Sequence, residues 1–419
     1  MGARTLPDRT VLQSRRDREL RTHLHAERDV QIALKKIEEL SSGYGFIARR
    51  SLLTGALRLT RNMAPEVADS LAHCRDVLGF DHPVEVYVRP EPVFNAGAIR
   101  NHGGGPHIIV ISSRLLEAFT PEELRFVIGH ELGHMAFDHF GIPMPATASV
   151  EDMAGTMVTR ANALKLYVWC RGAEITADRA GLVCGGNPTA AASGFFKLAS
   201  GLSSSRVLAD LEAYATQVES LASAPEARSK PRNDDDTLDC FCTHPYSPLR
   251  VRAVVAFSKS RTYRSLTGQG EDGLTDDEVE AIIERDLAVM DPNYLEQKTD
   301  ESSLMRRMLY CGGVSVAAAN GTIEDSELKA LRALLGADET WGPVNVEGAR
   351  AELEQKFDAA LQMSLAHRAQ LVQHLTIIAA ADGSVDQWEL GEMSRIAWRL
   401  QVDPLVIEQT LAAAAHPMD

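Results

Sequence analysis

The sequence predicts an α+β fold, mostly helical with a small β-sheet, followed by an all-α C-terminal domain. Three observations carry this. A well-signalled helix runs from Thr120 into the motif His130-Glu131-Leu132-Gly133-His134. Short apolar runs at 84–88 and 107–112 read as strands. An alanine-rich turn around Asn320-Gly321 returns sixty-two residues later around Asp382-Gly383, which describes a repeated helical unit.

The helix is announced by its N-terminus: Thr120 suits the N-cap, Pro121 the first helical position, and Glu123 completes a capping box. Leu124, Val127, Ile128, Leu132 and Met135 recur at helical spacing and anchor one side in a core. Two histidines four apart point the same way, so His130 and His134 can hold one metal ion, and this spacing reads as a zinc site with one Zn2+ per chain. Glu131 lies beside that ion, where a carboxylate can take the proton of a zinc-activated water.

About forty residues on, the segment 169–179 holds two acids one turn apart, Glu174 and Asp178. Catalytic zinc takes three protein ligands and keeps a fourth position open, and His-His-Glu is a standard set. Glu174 fits the third place. A ligating imidazole normally donates its other N–H to a carboxylate, so Asp178 is placed to orient a ligand histidine, with His130 the expected partner. The competing reading, two acids solvating a helix face, explains the spacing but not its company.

These residues resemble the HtpX and CAAX-prenyl-protease type of gluzincin zinc metallopeptidase, in which HExxH, an E-x-x-x-D helix and an H-P-x-x-x-x-R segment follow in order. The last is His244-Pro245 through Arg250 here. Phe94-Asn95-Ala96 and the run 108–112 resemble the family's N-A segment and active-site edge strand, so the likeness covers about residues 50 to 260. It implies a zincin-type fold, zinc ligation by His130, His134 and Glu174, general base Glu131, and transition-state contacts from Asn95, His244 and Arg250. His244 and Arg250 are donors of the kind that stabilises a developing oxyanion. Against that stand plainer readings: a His-Pro turn, a surface ion pair for Arg250, and a turn residue at Asn95. An extended peptide would add to the sheet at an edge strand, 107–112.

The chain has 419 residues, 45% hydrophobic and 24% charged, enough for two or three domains. A net charge of −15 argues against general nucleic-acid binding. Members of this family are often membrane-embedded, yet no apolar run here reaches the length of a membrane span, and no apolar signal core opens the sequence. A cytoplasmic location with six reduced cysteines is therefore expected. Cys240 and Cys242 form the one close pair; a redox or second-metal role for them is disfavoured.

Residues 1–43 read as a charged helical extension; it could cap the core, but interleaved arginines and acids favour an ordinary solvated helix. A metallopeptidase domain is expected at 44–262, with helices around Leu52, Leu53 and Leu57 preceding a first strand at 84–88. The polar stretch 223–236 is either a lid or a plain connection. An acidic linker or helix spans 263–300, and the repeated unit at 301–416 resembles the TerB domain of tellurite-resistance proteins. Its paired acids suit helix caps better than a calcium loop, which needs a regular ladder of oxygens.

The expected function is a zinc-dependent endopeptidase acting on peptide or protein substrates, with a protein regulator recruited through the C-terminal domain. The alternative is a non-catalytic zinc scaffold or stress-response binding protein acting through that TerB-like domain.

Overall fold

The computed structural model describes residues 8–41, 44–101, 105–143, 158, 160–203, 213–216, 243–288, 290, 300–335, 344–363, 365–380 and 384–415. The Cys240/Cys242 pair and the polar stretch 223–236 lie outside them. Helices α1 (Arg15–Ala26), α2 (Arg28–Ser41) and α3 (Tyr44–Gly55) come first. Strand β1 (Leu57–Leu59), helix α4 (Pro65–Leu78) and strands β2 (Val84–Arg89), β3 (Ala96–Ile99) and β4 (His107–Ser112) follow. Then come α5 (Ser113–Ala118), α6 (Pro121–Ala136), α7 (Arg160–Gly185), α8 (Pro188–Ser200), α9 (Ser247–Ser258), α10 (Arg261–Leu266) and α11 (Asp276–Leu287). The C-terminal part contains α12 (Asp300–Ala317), α13 (Asp325–Leu335), α14 (Val346–Ala360), α15 (Leu365–Ala379), α16 (Gln387–Arg399) and α17 (Leu405–Ala415). The protein is thus mostly helical with one small sheet.

The sheet order is β1-β2-β4-β3, with β2 and β4 parallel and the other pairs antiparallel. This corrects two expectations. Leu57 belongs to the short strand β1 rather than to a helix, so the strand at 84–89 is the second. The run 107–112 is central rather than an edge: Ile108, Ile109 and Ile111 are all buried, because β4 has a neighbour on each side and packing on both faces. The edge beside α6 is β3, paired through Ala96↔Ile111 to Ile99↔Ile108.

Apolar burial is divided. One core cluster runs from Leu12 to Met290 and joins the sheet, α4, α6, α7, α8, α9 and α11; another, from Met305 to Ile407, belongs to the C-terminal helices. The acidic segment around α11 is therefore part of the first core, through Val279, Ile283 and Leu287. In the C-terminal part the two copies of the repeat touch, Asn320 Nδ2 donating at 2.9 Å to Oδ2 of Asp386, the N-cap of α16. Asp386 and Glu389 form a complete capping box at α16, and the Glu324 backbone N–H donates to Glu327 at 2.9 Å.

The N-terminal extension is not a solvated arm. Ser14, Arg16, Asp17 and Leu24 are buried, and α1 lies along α7. Its charges have partners that a sequence does not reveal: Arg15 pairs with Asp277 and Arg16 with Glu284, both on α11. Gly172 of α7 permits the approach, since a Cβ there would stand 2.9 Å from the Asp17 backbone nitrogen.

α6 packs closely against α7. The capping box predicted at Thr120 and Glu123 is present and starts α6. Small residues line the contact: a Cβ on Gly133 would meet Ala177 Cα at 3.1 Å, and one on Gly181 would meet the Phe126 carbonyl oxygen at 2.6 Å. Backbone cannot retreat as a flexible side chain can. We expect Gly181→Ala to lower unfolding free energy by about 1–3 kcal/mol, overpacking outweighing the roughly 1 kcal/mol gain in helix propensity. Denaturant titration checks this, and a stabilised variant would show that the helices are free to separate.

Candidate active site

α6 turns His130 and His134 toward α7, and their Nε2 atoms come within 3.1 Å of each other. Glu174, near the middle of α7, completes a triangle: its Oε2 is 3.6 Å from His130 Nε2 and its Oε1 3.3 Å from His134 Nε2. Ligating atoms of these three residues lie within 4.8 Å of one another. The donor chemistry fits zinc, and spacings near 3.3 Å are about the edge of a tetrahedron whose corners stand roughly 2.0–2.1 Å from its centre. Glu174 Oε2 is moreover buried with no hydrogen-bond partner. A buried acceptor left so is costly unless a cation answers it.

The charges around Glu174 supply part of that answer. Burial opposes its ionised form, but His244, Arg250 and His134 hold its carboxyl well below the usual range. Asp178 sits one turn further along α7, with Oδ1 2.9 Å from His130 Nδ1. Its carboxylate is itself gripped by the Arg250 fork, Nε to Oδ2 at 2.9 Å and Nη2 to Oδ1 at 2.6 Å. Arg250 Nη2 also lies 3.1 Å from Glu174 Oε2, and the guanidinium stacks 4.6 Å from the Phe195 ring centre. Burial depresses this guanidinium, yet Asp178 and Glu174 more than reverse the effect and hold it above its ordinary value. Arg250 is therefore neither a surface ion-pair partner nor a free donor at the rim.

The remaining predicted residues divide. Glu131 is buried on α6, and its charge reaches both His134 and Arg250. His244 stands on the open side, its side chain 62% exposed, with Nε2 3.3 Å from Glu174 Oε1. Asn95 is exposed at the head of β3, where its backbone and Ser112 exchange hydrogen bonds of 3.0 and 2.8 Å. The contacts that gather the other residues do not include its side chain.

Sequence reasoning missed a second line of contacts behind His134. His139 follows α6 in a short 3-10 turn, and its Nδ1 lies 2.8 Å from His134 Nδ1. Beyond it is Asp17 of α1, Oδ2 3.2 Å from His139 Nε2. Asp17 is fully buried and also accepts from Trp169 Nε1 and Thr176 Oγ1, each at 2.9 Å. Burial opposes its charge, but His139, Thr176 and Gln13 hold its carboxyl below the usual range. A histidine five residues after the motif was a visible signal; one acid among many in a charged helix was none.

Comparison with known proteins agrees with the geometry. Residues 62–258 match peptidase family M48, and residues 306–411 match the tellurite resistance protein TerB. The chain carries an M48 peptidase domain followed by a TerB domain. It is 32% identical over 218 residues to the plastoglobule-localized metallopeptidase 48, chloroplastic, of Arabidopsis thaliana, a match covering 50% of this chain and 61% of that protein. No solved structure matches it. The M48 match includes His130, Glu131, His134, Glu174, Asp178, His244 and Arg250, but begins after Asp17. Among the described residues, no helix is long and apolar enough to cross a membrane.

If the Arg250 fork fixes Asp178, and Asp178 fixes His130, loss of the fork is felt at the metal. We expect Arg250→Lys, which keeps charge but not planar geometry, to weaken zinc binding by roughly ten- to a hundredfold. Competition with a chelator measures it, and parent-like affinity would show that charge alone suffices.

Proposed function

We propose that the M48 domain is a zinc endopeptidase in which His130, His134 and Glu174 hold the ion and Glu131 is the general base. The convergence of those three donors beside a buried carboxylate is the observation that carries this reading. Zinc held there would acidify a water and polarise the carbonyl of the bond to be cut. Glu131 accepts the water's proton and passes it to the leaving amine. His244, on the open side, offers an N–H to the oxyanion as it forms. Arg250 and Asp178 act behind the ligands as positioning residues, since their polar atoms are directed at Glu174, at His130 and at each other.

Substrate enters along β3. Its outer side has no strand partner among the described residues, and main-chain pairing there would lay an extended peptide beside α6 irrespective of sequence. Asn95, exposed at the head of that strand, is in position to meet the peptide backbone. The relative's name marks it as a metallopeptidase, which agrees with this activity. Buried Cys74, Cys184 and Cys311 support work in a reducing compartment such as the cytoplasm. The C-terminal domain exposes Trp388 and Trp398 on α16, which supports a role in recruiting a protein regulator. A scaffold that keeps zinc for structure alone needs neither the base nor an accessible edge strand.

Two substitutions test the site. Glu131→Gln should retain one zinc per chain while casein hydrolysis falls by about a hundredfold or more, because the amide keeps the shape and cannot accept a proton. Glu174→Ala should lose the metal under chelator competition, and the parent enzyme should lose activity with it. Undiminished hydrolysis by Glu131→Gln would remove the mechanism, and full zinc occupancy in Glu174→Ala would remove the ligand assignment.

A further inference from the structure

We propose that Asp17 of α1, acting through His139, positions the metal ligand His134, so that the helix preceding the peptidase domain is a working part of its metal centre. The inference rests on the reading of His134 as a ligand. The contacts form one line: His134 Nδ1 to His139 Nδ1 at 2.8 Å, and His139 Nε2 to Asp17 Oδ2 at 3.2 Å.

Only one arrangement of protons suits a metal-binding His134. A neutral imidazole that ligates through Nε2 carries its hydrogen on Nδ1 and must donate it. The acceptor is His139 Nδ1, so the hydrogen of His139 sits on Nε2 and is donated to the Asp17 carboxylate. Reversing the line would leave a bare His139 Nε2 facing an anion and put the hydrogen of His134 on the nitrogen that points at Glu174. A carboxylate at Asp17 therefore selects the ligating tautomer two residues away.

Asp17 is held for this task. Ser14 caps α1 through the Asp17 backbone N–H at 3.2 Å, and the Ser14 hydroxyl donates to the Gly172 carbonyl of α7 at 2.9 Å. A second grip from α1 falls on the turn that carries His139. Arg21 donates to the Phe137 carbonyl and, at 2.9 Å, to Asp138 Oδ2, while Arg100 pairs with the other Asp138 oxygen. Asp138 has φ 55°, a left-handed conformation uncommon for a residue with a side chain. The two arginines hold it there, and His139 follows directly. None of α1 lies within the M48 match, which begins at residue 62.

The test is zinc affinity of the folded full-length protein, by chelator competition, alongside thermal unfolding of the zinc-free form. Asp17→Asn and His139→Phe should each weaken zinc binding by roughly ten- to a hundredfold. Combined, they should cost little more than His139→Phe alone, because both break one chain. Trp169→Phe, which removes a different donor to the same carboxylate, should lower the unfolding temperature and leave affinity unchanged. A purely structural Asp17 predicts parent-like affinity in Asp17→Asn whatever its unfolding temperature, and independent roles for the two residues predict losses that multiply in the double variant. Either of these overturns the inference while leaving the zinc site intact. A parent protein that binds no zinc overturns the proposed function as well. Should Asp17→Asn not fold, parent-like affinity in His139→Phe is enough to overturn the relay.

Discussion

The site exists because α6 and α7 approach closely enough for side chains on both to reach one point. Imidazoles on one helix and a carboxylate on the other converge within a few ångströms only if nothing larger than a methyl group separates the backbones. Gly129, Gly133, Ala177, Ala180 and Gly181 meet that condition, with Cys184 filling the remaining gap. Tight contact of this kind behaves as a packed solid, so the donors are held in place by the helices themselves. A loop-borne histidine such as His244 has no such constraint, and it is correspondingly the exposed member of the group.

Bringing those residues together buries an unusual amount of charge. Asp17, Glu174 and Asp178 are buried, and the half-buried Arg250 lies against the last two, so unpaired charges there would be costly. Each is answered on its own terms: Arg250 grips Asp178, Asp178 faces His130, and Asp17 collects donors from His139, Trp169 and Thr176. Glu174 Oε2 has no hydrogen bond and faces the Arg250 guanidinium at 3.1 Å. That oxygen stands at the point where a divalent cation fits.

The same logic explains why an N-terminal helix lying outside the peptidase match is integrated rather than appended. Its buried face meets α7 and the turn that carries His139, and Arg15 and Arg16 pair with α11, which in turn packs on the main core. The C-terminal helices close a core of their own, and the two copies of their repeat touch through Asn320 and Asp386. Acids in those segments cap α16 and accept from neighbouring backbone.

Much of this was legible in the residues themselves. The spacing of His130 and His134, the Thr120 capping box and the Glu174–Asp178 step are local patterns, and a helix converts local spacing into a shared face. Helix type and the shared face of His130 and His134 follow from such periodicity. What lay beyond it was everything decided by contact between distant segments. The strand 107–112 is apolar enough for either an edge or a centre, and only the pairing of β3 on its far side settles which. Arg250 carries the same guanidinium at a rim or behind a ligand; the position of Asp178 decides. Asp17 looks like its neighbours in a charged helix, and its role arises only where α1, α7 and the turn after α6 meet. Sequence by itself determined which groups could bind a metal; tertiary packing decided which of the others stand behind them, because burial and partner choice are properties of the assembled fold.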